Sequence, residues 1–383
     1  MQKLKYIFNA YIALFIYIFS KRKRDVWLIG GHNGMLYTDN AKVFYEYILD
    51  NHKDIDIYWI IDKNSSIKDK IRGEKIIKGS VQNYLYFYHS KVNLFSDTFN
   101  SDIAPLAYIL PFINFIYFRR FKVFLNHGRI AFNRVPKFSY LIQKIKDNIY
   151  RSYNMGVAST ELEISAMVGN GIKDKNIVLT GSPRDDKLFD ESSKKQNILI
   201  APSWRGWLYG NDSLKDSEFY SNYIALLSDR RLHNYLKENN IYISFYLHHM
   251  FHKFYQEFIE YKSDMIIILE TNADISKEIR GSKLLITDYS SVCADFYYLR
   301  KPVIFFQFDR EIYKKEIGSY INLDRDRFGE VAFSVDEVVD KFIESVEREY
   351  RISPLQKDGE KFFVNFVDRD NCKRVYNKIR EKI

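Results

Sequence analysis

Short, almost wholly apolar runs recur along the chain, each followed by a stretch whose apolar residues return at helical spacing. VWLIGG (26–31), IYWII (57–61), VNLF (92–95), KVFLNHG (122–128), GVAST (156–160) and NIVLTGSPR (176–184) read as strands of a first half, with helices beginning near Asn40 and in VQNYLYFYHS. A polar break, ESSKKQ (191–196), precedes a second set of runs: NILIAPSWR, IYISFYLHH, MIIIL, LLITD and PVIFF, with one long helix expected over about 217–238. From residue 334 to the end the spacing is helical. Strands apolar on both faces belong in parallel sheets covered by helices on both sides. The expected architecture is therefore α/β, with two Rossmann-like halves and ligands in a cleft at the carboxyl ends of the strands. The expected divisions are residues 1–24, 25–190, 191–350 and a C-terminal helical piece, 351–383.

Two apolar stretches do not fit that alternation. Residues 6–19 (YIFNAYIALFIYIF) are followed at once by Lys21, Arg22, Lys23 and Arg24. Fourteen helical residues reach about 21 Å, short of the roughly 30 Å hydrocarbon core. Beside a basic cluster, the segment suits a helix lying at the cytoplasmic face of a membrane; packing on the protein's own surface is the alternative. Residues 104–118 (APLAYILPFINFIYF), broken by Pro105 and Pro111, read either as a buried connection or as a loop that meets lipid or a lipid-linked acceptor.

Composition narrows the partners. In 383 residues there are 30 Tyr, 30 Phe, and a formal net charge of +9, enough apolar surface for two cores and a basic balance overall. No zinc-spaced, Gly-rich or Lys/Arg-rich module marks a nucleic-acid binder, which leaves an anionic membrane surface or a phosphorylated substrate. Cys293 and Cys372, in no paired motif, fit a reduced compartment and no metal framework.

Candidate chemistry falls at strand ends. His127 and Gly128 follow KVFLN, Arg184 follows NIVLTGSP, Ser203 and Arg205 follow NILIAP, and His248 and His249 follow ISFYL. Thr287, Asp288, Ser290 and Ser291 follow LLI, and the two serines are expected to open a helix through Leu299. A helix start offers free N–H groups and the positive end of the dipole to a phosphate; capping the helix is the plainer role for Ser290. Imidazole titrates near neutrality, and Arg with helix-start N–H groups holds phosphate, so the set suits transfer from a diphosphate donor.

NHG (126–128), TGSPRDDKLF (180–189), ILIAPSWR (198–205), LHH (247–249) and LLITDYSSVCADFYYLRKPVIFF (284–306) together resemble the CDP-glycerol glycerophosphotransferases of teichoic acid and surface-polymer synthesis. DNAK (39–42), after a glycine turn, is similar as well. The resemblance implies a GT-B fold, peripheral attachment to the cytoplasmic face, and transfer of a polyol phosphate from CDP-glycerol or CDP-ribitol to a lipid-linked or surface-glycan acceptor. It implies His127 and His248 as catalytic, with His127 the general base, and Arg205, Thr287, Asp288, Ser290 and Ser291 as donor-binding. Gly128, Arg129, Arg184, Ser203 and His249 are further candidates for substrate. Strand register favours His248 over His249, and Arg129 stands where the family usually has a small residue. No carboxylate cluster points to a metal, and no cofactor is expected beyond a Mg²⁺ that could bridge phosphates. Two other readings stay open: a GT-B transferase using a nucleotide sugar, and a non-catalytic nucleotide- or polymer-binding subunit.

Overall fold

The computed structural model describes residues 2–21, 25–128, 132, 148–192, 196–208, 210, 213–271, 273 and 275–383, with the backbone but not the side chain of His249. The chain divides into two compact units, one of Met1–Arg129, Lys137–Lys187 and Asp368–Ile383, the other of Ile130–Pro136 and Leu188–Val367.

In the first unit seven strands form one sheet: β1 Val26–Gly30, β2 Asp56–Ile61, β3 Lys75–Ile77, β4 Val92–Phe95, β5 Phe121–Phe124, β6 Met155–Ala158 and β7 Ile177–Leu179. Their order is β3-β2-β1-β4-β5-β6-β7, and each adjacent pair is parallel. The pleat explains why β1 reads as a continuous apolar run. Trp27 and Ile29 enter a core with the helix Asp39–Asn51 and with Cys372, Val375 and Ile379 of the last helix, Asn371–Lys382. Val26 and Leu28 point the other way, into a core with Tyr84, Phe87 and Tyr88 of the helix Val81–His89 and with Ala10 and Ala13. The chain's last helix thus completes the first unit's core.

The second sheet has six strands, β8 Asn197–Ile200, β9 Tyr242–Phe245, β10 Ile266–Ile268, β11 Leu284–Thr287, β12 Val303–Phe306 and β13 Glu330–Ala332. Their order is β10-β9-β8-β11-β12-β13, again parallel throughout. Phe132 is buried in this unit against the rings of Tyr289, Phe305, Phe328 and Phe363. In both sheets the strand order reverses direction once, between β1 and β4 and between β8 and β11. Ligands of such sheets lie beyond the strand ends at that reversal.

Several local expectations are corrected. The helix expected over about 217–238 is two helices, Glu218–Leu227 and Arg230–Glu238. Asp229 restarts the chain, its carboxylate accepting from the Leu232 N–H, because an Asp side chain competes for backbone donors and favours a cap. Ser290 and Ser291 do not open a helix; it runs from Cys293 to Tyr298, and Val292 before it makes no side-chain cap. Two three-residue strands, β3 and β13, carry Lys75 and Glu330 and show no unbroken apolar run in the sequence.

The helix Gln2–Phe19 lies against Val81–His89 in the first unit. The Tyr88 hydroxyl donates to the Ala10 carbonyl at 2.8 Å, and Asn9 Nδ2 donates to the Gly79 carbonyl at 2.8 Å. Its other face is apolar and exposed, with Leu4, Phe8, Phe15, Ile18 and Phe19 outward. Among the described residues no helix is long and apolar enough to cross a membrane.

Gly30, at the end of β1, tests how tightly the switch point is built. A Cβ there would stand 2.3 Å from the Asp102 carbonyl oxygen, against backbone that has no side-chain freedom to yield. Gly30→Ala should lower thermal stability by an amount comparable to overpacking a core, about 1–3 kcal/mol. An unchanged melting temperature would show that the loops move apart freely.

Candidate functional site

In the first unit, the loops leaving β1 and β4 are tied together by one buried carboxylate. Asp102 accepts from the N–H groups of Asn33 at 3.0 Å, Ser96 at 3.1 Å and Asp97 at 2.8 Å. Burial, with the neighbouring charge of Asp97, pushes its pKa up to about 6 even so. The backbone held this way is strained. His32, Asn33, Asp39 and Asn126 have φ of 49°, 57°, 61° and 61°, values that side-chain-bearing residues rarely adopt. Asn40, buried at the start of its helix, donates to the carbonyls of Leu125 at 3.1 Å and Asn126 at 3.0 Å and accepts from the Arg184 N–H at 3.0 Å. It thereby fixes the NHG and TGSPR loops to each other.

These ties present His127. Its Nδ1 lies 2.9 Å from Asp97 Oδ1 and 3.2 Å from the Ser96 carbonyl. Both partners accept, so Nδ1 carries a proton, and Nε2 is the position left for a ligand. The side chain is 52% exposed. The hydrogen bond to Asp97 raises the His127 pKa to about 9, against the opposing effect of burial. For Asp97, burial favours the neutral acid, but the bond to His127 and the imidazolium charge outweigh it and hold the carboxyl below its usual range. The sign for stability follows. The His127 contribution is complete below about pH 6.5 and is lost as pH rises through about 9, while that of Asp97 is lost as pH falls below the ordinary carboxylate range. Arg184 stands beside the same group, its Nη1 3.5 Å from Asp39 Oδ1. His32 adjoins His127, ring centroids 5.8 Å apart. Gly128 follows with φ 146° and open space where a Cβ would be. Arg129 lies outside the described residues.

The second unit repeats the device with different charges. Asp288, wholly buried just after β11, accepts from the Ser203 N–H at 2.9 Å, the Ser203 hydroxyl at 2.7 Å, the Tyr223 hydroxyl at 3.2 Å and Arg205 Nη1 at 2.8 Å. Arg205 Nε also donates to Asp309 Oδ2 at 2.6 Å and Nη2 to Asp309 Oδ1 at 3.1 Å. Burial disfavours the guanidinium, but two carboxylates more than offset it and its pKa is raised. The Thr287 hydroxyl donates to the Ala201 carbonyl at 2.6 Å. Arg205, Thr287 and Asp288, expected to bind the donor, are all fully buried, with their polar atoms bracing the turn. Ser203, Ser290 and Ser291 are the members of that set with solvent access. Ser290 Oγ accepts from the Val292 N–H at 3.3 Å.

His248 sits at the end of β9, half-buried and stacked on Trp204 with centroids 6.4 Å apart. Its Nδ1 accepts from the Met250 N–H at 3.3 Å, so the neutral ring carries its proton on Nε2. One strand beyond the switch point is a recess of about 510 Å³ lined in part by Gln307, Phe308, Arg310 and Phe333. Glu218, Asp309, Glu311 and Asp324 also line it, an acidic balance that does not suit a diphosphate. Among the described residues no group of three or more His, Cys, Asp or Glu could hold a metal ion.

Sequence reasoning singled out His127 and His248 but missed His32, Asn40, Asp97 and Asp102. A usable signal existed: Gly31-His32-Asn33-Gly34 follows β1, and Ser96-Asp97 follows β4, the two strands that flank the reversal.

The two-Rossmann, GT-B-like fold is shared with a solved structure of the wall teichoic acid polymerase TagF with CDPG, at a TM-score of 0.69 and 18% identity over 99% of this chain and 96% of that one. The family described as CDP-Glycerol:Poly(glycerophosphate) glycerophosphotransferase matches residues 12–381, and the chain belongs to that family. The Minor teichoic acid biosynthesis protein GgaB of Bacillus subtilis is 31% identical over 378 residues, covering 94% of this chain and 40% of that protein. The teichoic acid poly(ribitol-phosphate) polymerase of Bacillus spizizenii is 26% identical, covering 89% of this chain and 54% of that one. The chain thus spans about half the length of these relatives.

Arg205 gives the sharpest test of the site's internal wiring. Arg205→Met should cost about 3–5 kcal/mol, because it strands two buried carboxylates. Chemical denaturation beside donor-binding calorimetry reads this directly. Unchanged stability with lost donor affinity would return Arg205 to the phosphates.

Proposed function

We propose that this chain transfers a polyol phosphate, glycerol phosphate first, from a CDP-activated donor to a hydroxyl of a teichoic-acid-like acceptor, releasing CMP. The observation that carries the reading is the Asp97–His127 pair, which holds one ring nitrogen and leaves the other for a substrate proton. Neutral His127 takes the proton of the acceptor hydroxyl as its oxygen bonds to the β-phosphorus. The bond from that phosphorus to the bridging oxygen breaks, and its electron pair leaves with CMP. His248 Nε2–H, with the accessible Ser203, Ser290 and Ser291, is assigned to the diphosphate oxygens on which charge gathers. Arg184 and Gly128 belong to the acceptor side. Family membership and relatives named for poly(ribitol-phosphate) and poly(glycerol phosphate) polymerisation support the reaction class.

Incubating the protein with CDP-glycerol, CDP-ribitol and a panel of nucleotide sugars should release CMP from the first two only; release of a nucleoside diphosphate from a sugar donor would replace this reading. The pH dependence adds a second check. His127 must be neutral to act, so kcat/KM should rise with pH toward about 9. Asp97→Asn removes the principal cause of the raised pKa, so the rise should move down toward about 6.5 while the plateau rate falls. A limb that stays in place would dissociate His127 from the proton transfer.

The acceptor is expected at a lipid surface, and the protein is assigned peripherally to the cytoplasmic face of the membrane. The exposed face of Gln2–Phe19 lies beside a second apolar surface carrying Ile109, Phe112, Phe115 and Phe118, and the Tyr11 hydroxyl donates to the Pro111 carbonyl at 3.3 Å. Lys3, Lys5, Lys21 and Arg119 supply positive charge for anionic headgroups. Replacing Phe112, Phe115 and Phe118 by Ser should release the protein from phosphatidylglycerol vesicles in a flotation assay without lowering its melting temperature. Deleting the whole helix is the poorer test, since Ala10 and Ala13 are part of the core. Undiminished flotation of the triple variant would place the contact elsewhere.

A further inference from the structure

We infer that His32 and Asp39 form a hydroxyl-reading pair on the acceptor side, seating the hydroxyl next to the one that attacks. The inference deepens the proposed transfer and rests on it. His32 Nε2 is shielded from solvent yet has no hydrogen-bond partner among the described residues. A buried polar atom of this kind costs free energy unless something fills its valence. It faces Asp39 Oδ2 at 4.0 Å, too far for a direct hydrogen bond. An oxygen about 2.8 Å from both atoms would subtend an angle of roughly 90° between them, the geometry of a hydroxyl that bridges them once the two side chains part to admit it, accepting from His32 and donating to Asp39.

The surroundings fit a sugar-alcohol better than a bare phosphate. Asp39 and Asp97 place two carboxylates beside the imidazoles of His32 and His127, and the guanidinium of Arg184 is already 3.5 Å from Asp39. Such a mixed set exchanges hydrogen bonds with vicinal hydroxyls and gains little from another anion. The backbone is shaped for the purpose as well. His32, Asn33 and Asp39 all hold left-handed conformations, and the Asn33 N–H is clamped by buried Asp102. The His32 ring lies 5.8 Å from the His127 ring, centroid to centroid. A hydroxyl held between His32 and Asp39 would lie on the same side of the site as one offered to His127.

The test uses the full chain, CDP-glycerol, and two synthetic acceptors: a glycerol-phosphate-terminated disaccharide, and its counterpart with the secondary terminal hydroxyl replaced by hydrogen. Wild type should favour the first by about tenfold in kcat/KM. His32→Phe keeps a ring against His127 but removes both nitrogens. It should lose about the same factor on the first acceptor and discriminate between the two no longer. Asp39→Asn is the second variant, read the same way should His32→Phe melt early. Undiminished discrimination in a folded variant overturns the pairing alone. A wild type that releases no CMP with any acceptor overturns the pairing and the proposed function together.

Discussion

Each unit depends on one buried aspartate at the place where its strand order reverses. Parallel strands end in loops that have no sheet partner, and at the reversal two such loops diverge around the space a ligand would use. Asp102 and Asp288 close that gap by taking backbone N–H groups from both sides, Asn33 with Ser96 in one unit and Ser203 with Tyr289 in the other. A carboxylate can accept several such donors at once, which no neutral side chain of similar size does as well. The loops are thereby held in conformations that they would not keep alone, including the left-handed residues around His127.

The two aspartates are compensated differently, and the difference reaches the surface. Asp288 has a guanidinium against it, and Arg205 also pairs with Asp309, so the positive charge beside the second unit's aspartate comes from a buried residue. Among the described residues Asp102 has N–H groups and the Ser101 hydroxyl as its partners, and burial with Asp97 close by pushes its pKa up. The positive charge near Asp97 comes instead from His127, a residue with solvent access. In the first unit the charge balance of the interior is therefore coupled to the protonation of a group that a substrate can reach. In the second it is not.

Much of the fold was legible because burial on two faces leaves an unmistakable mark. β1, β4, β8, β11 and β12 are each buried at every position, and all five read as apolar runs. What escaped had a physical reason. β3 and β13 are three residues long and carry Lys75 and Glu330, so neither shows the unbroken apolar run by which the equally short β7 and β10 were read. Asp229 divides a helix whose apolar spacing continues across the break, so the spacing alone could not show it. At the site, His127, His248 and Arg205 do stand just beyond strand ends. Strand-end position could not tell an outward side chain from an inward one. Arg205 turned inward because Asp288 and Asp309 were there to receive it, and both partners are distant in sequence. Asp97 and His32 were missed for the same reason, since their importance lies in contacts with His127 across the switch point.

The two histidines also show how a fold assigns chemistry to chemically identical groups. His127 Nδ1 lies against acceptors, a carboxylate and a carbonyl, which fixes the proton there and leaves Nε2 basic. His248 Nδ1 accepts a backbone N–H, which puts the neutral ring's proton on Nε2. The environments push the same imidazole toward opposite tautomers, one with a lone pair to offer and one with a proton. The transfer proposed above calls for one of each. Exchanging the tautomers would require exchanging Asp97 for a donor and the Met250 N–H for an acceptor, so the difference resides in the neighbours rather than in the histidines.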